Sequence, residues 1–192
     1  RSGMTGFDSA RRILDANGLG DVRIAHVSGD LTDHYNPTDN TIYLSDSVYG
    51  SNSAAAIGVA AHEAGHAVQH ATGYTPIKIR SAIIPITNIG SNLAMPLIIL
   101  GIVLSFPTLA YIGVAAFGLS TLFQLVTLPV EFDASGRALK ALEGSLDGDD
   151  LASARKVLRA AALTYVAALA VSLVNLLRLL IIVAGNDRRR RR

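Results

Sequence analysis

Half of the 192 residues are hydrophobic and only 17% are charged, short of the roughly 25% usual in a soluble domain. The shortfall is local, because no Asp, Glu, Lys, Arg or His occurs from Ser81 through Val130. The formal charge of +2 rests on the terminal run Arg188–Arg192, without which acids outnumber bases. A terminal run is not the spread basic face of a nucleic-acid binder, so nucleic acid is excluded as a partner.

In chain order, Thr5-Gly6-Phe7-Asp8 opens a short helix, with Phe7, Ala10, Ile13 and Leu14 at helical spacing and Gly18 placed as its stop. Val22–Val27, Leu31–Tyr35 and Thr41–Leu44 read as strands, separated by turn signals at Ser28-Gly29-Asp30 and Asn36-Pro37-Thr38-Asp39-Asn40. They predict a small antiparallel β unit. The next helix begins near Ser51 or Ser53 and ends at Gly73. Its first half, Ala54–Ala61, is apolar on every side, the pattern of a buried helix.

The uncharged run has room for two bilayer crossings of roughly 20 residues each. Ser105-Phe106-Pro107-Thr108 supplies a turn between them, giving a hairpin of about Ile83–Leu104 and Leu109–Leu128. Asn88, Ser91 and Asn92 are expected to face protein or the membrane edge. Arg137–Leu142 reads as a short amphipathic helix, and Asp149 or Asp150 as the cap of a long last helix. That helix is apolar from Ala160 to Leu177, is interrupted by Arg178 and resumes to Gly185; the Arg188–Arg192 tail after it suits anionic lipid headgroups. The expected class is α+β, mainly α: residues 1–80 carry the catalytic part, 81–130 the transmembrane hairpin, 131–159 a further ligand segment, and 160–192 a C-terminal membrane helix.

Charge in a buried helix needs a partner or a metal, yet the apolar stretch runs directly into His62-Glu63-Ala64-Gly65-His66. Residues four apart share a helix face, so His62 and His66 can grip one ion. With no cysteine in the chain, metal ligands must be His, Asp or Glu, and two imidazoles suit zinc. Zinc acidifies a bound water, and Glu63 stands next to the metal as its general base. Geometry argues against His70 as a further ligand. It lies eight residues from His62, about 12 Å along a helix, and is read as a helix-end residue or one that supports a ligand.

The third ligand is sought among downstream acids. A hairpin returns to the side from which it started, which brings Leu128-Pro129-Val130-Glu131-Phe132-Asp133 back towards the zinc helix. Glu131 is assigned as the ligand. Asp133 is the competitor, or else hydrogen-bonds a ligating imidazole or pairs with Arg137. His34 reads as a surface residue near a turn, although a strand edge there could hold an extended peptide by main-chain pairing. His26 carries no signal.

These residues resemble the YugP-like neutral zinc metallopeptidases, a bacterial membrane family of the HExxH group with a glutamate as third ligand. The most specific stretches are Leu31–Pro37 (LTDHYNP), Ala60–Tyr74 (AAHEAGHAVQHATGY), Asn88–Asn92 (NIGSN) and Leu128–Leu139 (LPVEFDASGRAL). The resemblance implies zinc held by His62, His66 and Glu131, with Glu63 as catalytic base. It also implies a further membrane helix preceding Arg1, so the chain is expected to be a piece of a longer protein. HtpX-type proteases, more distantly similar, carry an Asp four residues after the ligand Glu; here that position is Ser135, and the acid is at Asp133.

The expected function is a membrane-embedded zinc metalloendopeptidase acting on peptide or membrane-protein substrates. The alternative is a non-catalytic membrane scaffold with a structural zinc, which would have no need of Glu63. Lipid or small-amide hydrolysis would use the same chemistry. Orientation is ambiguous from charge. If the last helix spans, its Arg tail lies opposite the zinc site, while Lys78, Arg80, Arg137, Lys140, Arg155, Lys156 and Arg159 lie on the near side. Analogy with HtpX-type proteases places the active site on the cytosolic face.

Overall fold

The computed structural model describes residues 3–190. Arg191 and Arg192, which end the basic tail, lie outside them. The elements in order are α1 (Gly6–Ala16), β1 (Arg23–Val27), β2 (His34–Asn36), β3 (Thr41–Ser45), α2 (Ala54–Ala71), α3 (Thr75–Val103), α4 (Pro107–Leu142) and α5 (Gly148–Arg190). The class is the expected one, mainly helical with a small sheet. The chain forms two compact units, Arg1–Lys78 with Pro129–Leu163, and Ile79–Leu128 with Thr164–Arg192.

In the first unit, α1 starts at a reciprocal cap. The Thr5 hydroxyl oxygen accepts from Asp8 N–H at 3.2 Å, and the Asp8 carboxylate accepts from Thr5 N–H at 2.9 Å, which satisfies two N–H groups the helix itself cannot. α2 starts at Ser53, whose hydroxyl oxygen accepts from Ala56 N–H at 3.2 Å. The apolar side of α1 packs on α2, and the Ser9 hydroxyl donates to Ile57 C=O at 3.1 Å inside that contact. Ile13, Leu14, Ile42, Leu44, Ile57, Ala60, Ala64, Ala138, Leu142 and Leu158 belong to one core. Of the all-apolar start of α2, Ala56, Ile57, Gly58, Ala60 and Ala61 are buried, whereas Ala55 is exposed.

The sheet differs from the expected antiparallel unit. Its order is β1-β3-β2, with β2 antiparallel to β3 and β1 parallel to β3. Four of the five residues of β3 are buried, whereas β1 and β2 have none. The most apolar strand therefore takes the centre, and β1 pairs with it instead of with its sequence neighbour. β2 is also shorter than expected. Leu31 has φ 58° and Asp33 turns its carboxylate onto Ser45, accepting from N–H at 2.8 Å and from the hydroxyl at 2.9 Å. Side-chain bonding replaces the ladder there until His34.

Three helices, α3, α4 and α5, are long and apolar enough to cross a membrane. The turn between α3 and α4 falls where Ser105-Phe106 predicts it. α4, however, does not stop at Pro129 but continues to Leu142, absorbing the short helix expected from Arg137. The last helix is capped by Asp147, whose carboxylate accepts from Asp150 N–H at 2.8 Å, in place of Asp149 or Asp150. Within the second unit, Ile98, Ala110, Val114 and Val183 form a buried cluster. A Cβ on Gly113 would stand 2.7 Å from Ala94 O, so glycine allows that close helix contact. Thr121 and Ser172 share a hydrogen bond at 2.7 Å, and Ser91 bonds Ser120 and, at 2.8 Å, Thr87 C=O. Asn88 and Asn92 are exposed, as are Leu173, Val174, Leu177, Ile181 and Arg178. So much exposed apolar helix surface is suited to lipid.

Candidate metal centre

α2 and α4 meet closely at one point. Gly65, between the two histidines, faces the backbone of Ala134, where a Cβ would stand 2.7 Å from the carbonyl oxygen. Any larger residue would push the helices apart. At this contact α2 presents His62 and His66, and α4 presents Glu131, which is 3% exposed. Glu131 Oε2 lies 3.1 Å from His62 Nε2 and 3.6 Å from His66 Nε2. The imidazoles are edge-on, with centroids 4.6 Å apart.

These three side chains are the group among the described residues whose donor atoms can converge on a metal, all within 4.8 Å of one another. The fit can be tested by distance. A tetrahedral zinc with N and O ligands at about 2.0–2.2 Å places them about 3.4 Å apart, and the observed 3.1 and 3.6 Å bracket that value. Two neutral nitrogens and one carboxylate oxygen are also the donor set that zinc takes in hydrolytic sites.

The electrostatics follow from the contact. Burial works against ionisation of Glu131, but hydrogen bonds and charge from His62 and His66 prevail and hold its carboxyl well below the usual carboxylate range. Burial likewise opposes a charge on His66, and the nearby carboxylates of Glu131 and Glu63, with Gln69, raise its pKa nonetheless.

Glu63 follows His62 on α2, near enough to His66 for its charge to act on that ring. Its Oε2 accepts from the main-chain N–H of Tyr35 in β2 at 3.0 Å. Asp133 is placed differently. Its Oδ2 accepts from Gln69 Nε2 at 2.8 Å and from Arg137 Nε at 2.6 Å, so the expected pairing with Arg137 is present. His34 stacks on Tyr43 and is exposed, and His26 pairs with Asp46 at 2.5 Å. His70 lies near the end of α2, its ring 5.4 Å from that of Tyr35.

Three groups at the site are given no role by the sequence. Gln69 bonds His66 Nδ1 at 2.9 Å, Ser135 bonds His62 Nδ1 at 3.0 Å, and Tyr35 acts through its backbone. Gln69 is three residues after His66, and Ser135 four after Glu131, so helical spacing alone could have drawn attention to both.

A family model described as "Putative neutral zinc metallopeptidase" matches residues 1–184. The chain is 48% identical over 189 residues to a protein of Bacillus subtilis (strain 168) named "Putative membrane protease YugP"; the match covers 97% of this chain and 84% of that protein. No solved structure matches.

Proposed function

The chain belongs to the neutral zinc metallopeptidase family, and from that premise we propose that it is a peptidase in which His62, His66 and Glu131 hold zinc and Glu63 is the general base. The observation that carries this reading is the convergence of three donor atoms from two helices beside a fourth, separate carboxylate. When bound, the ion supplies Lewis acidity, acidifying water and polarising a carbonyl.

The chain's own groups do the rest. With Oε2 held by Tyr35 N–H, Glu63 keeps its other oxygen to accept a proton from water and to pass it to the departing amine. Among the described residues three side chains converge, and three protein ligands would leave a coordination position open, the arrangement of a catalytic site, whereas a structural zinc would be closed by a fourth. That favours the peptidase over a scaffold. β2 is an edge strand bordering α2, which suits substrates that bind as extended segments. The three apolar helices make a membrane-anchored enzyme, and we assign its active site to the cytosolic face.

Glu63→Gln tests the role of the base. Zinc content is expected to stay at the wild-type level while cleavage of extended fluorogenic peptides falls by about two to four orders of magnitude. Turnover unchanged in the variant, or unchanged after the metal is stripped from wild type, would refute the reading.

A further inference from the structure

A histidine has two ring nitrogens, and a metal can use only the one without a proton. For His66 the choice is made on the far side of the ring. Gln69 is fully buried and lies on the same face of α2, three residues on. Its amide nitrogen reaches two groups on α4, the main-chain carbonyl of Val130 and Asp133 Oδ2, each at 2.8 Å. A carbonyl only accepts, and so does a carboxylate already accepting from Arg137 at 2.6 Å. Both amide N–H groups are thus committed to α4. The amide oxygen is left facing His66 Nδ1 at 2.9 Å, and it too can only accept. Nδ1 must therefore carry the proton. Nε2, the nitrogen 3.6 Å from Glu131 Oε2, then presents its lone pair.

We infer that Gln69 is a positioning residue of the metal centre, locking the orientation and tautomer of His66 by taking its own orientation from α4. This role presupposes the zinc-peptidase reading. It gives Asp133 and Arg137 their place: Arg137 keeps Asp133 an acceptor, Asp133 orients Gln69, and Gln69 sets His66. Arg137 is itself packed over the Tyr74 ring, 5.8 Å from its centroid. His62 is treated differently. Its Nδ1 meets the Ser135 hydroxyl at 3.0 Å, which can donate or accept and so dictates no tautomer.

Zinc affinity of the full chain in detergent, measured by competition with a chromophoric chelator, tests the role. Gln69→Leu keeps the bulk and removes the amide, and is expected to weaken zinc binding about 10- to 100-fold. Gln69→Glu sets a carboxylate against Asp133 and is expected to weaken it as well. Adding Asp133→Asn to Gln69→Glu removes the clash of two carboxylates but leaves the Val130 carbonyl facing an acceptor, so it is expected to recover only part of the loss. Independently of any variant, nitrogen NMR of the zinc-loaded wild type should show His66 bound through Nε2 with its proton on Nδ1. Binding through Nδ1, or wild-type affinity in Gln69→Leu, would overturn the role and leave the peptidase reading standing. A wild-type chain that takes up no zinc would overturn both.

Discussion

Glu131 and Asp133 lie two residues apart on α4, and their neighbours separate their roles. Glu131 Oε2 meets two imidazoles, whereas Asp133 Oδ2 accepts from an amide and a guanidinium. Removing Glu131 deletes a donor atom; removing Asp133 only loosens Gln69. Metal analysis of purified protein is therefore expected to show zinc essentially lost in Glu131→Ala and retained, with weaker affinity, in Asp133→Ala. Zinc lost only in the second variant would move the ligand to Asp133. At this scale the HExxH residues were legible in sequence, since a turn of helix sets their spacing. Between two acids at the same return of the chain the sequence favoured Glu131 with Asp133 as competitor, and the structure gives the two different partners.

Among the elements, the α2–α4 contact matters most, and Gly65 controls it. Its Cβ would meet backbone at 2.7 Å, and backbone cannot swing aside as a side chain can. Gly65→Ala is expected to destabilise the chain by about 1–3 kcal/mol through overpacking and to weaken zinc binding, because the same contact spaces His66 from Glu131. Gly136→Ala on α4 is the matched control. Nothing lies within 4 Å of a Cβ there, and replacing a helical glycine should stabilise by up to about 1 kcal/mol. Thermal melts of both variants in the same detergent read the difference. The sheet gives the opposite lesson about legibility. Its strands can be placed from turn residues and alternation, but their pairing depends on which strand the core buries, and β3 displaces the expected order.

For the whole molecule, the chain's lack of cysteine makes orientation directly measurable. Gly50 is exposed in the first unit and has nothing within 4 Å of a Cβ, so Gly50→Cys is a silent reporter. With the active site on the cytosolic face, an impermeant maleimide should label it only after cells are opened; labelling of intact cells would reverse the topology. By itself the sequence determined that the chain carries membrane-length apolar helices and a helix with two histidines one turn apart, because both are encoded in local periodicity and hydropathy. Only the tertiary structure decided how β1 pairs, that α4 runs unbroken through Pro129, and that Gln69 and Ser135 back the two histidines. The pairing of β1 turns on burial competing between strands, and the orientation of Gln69 and the place of Ser135 turn on contacts some 60 or more positions away, which no short window of sequence contains.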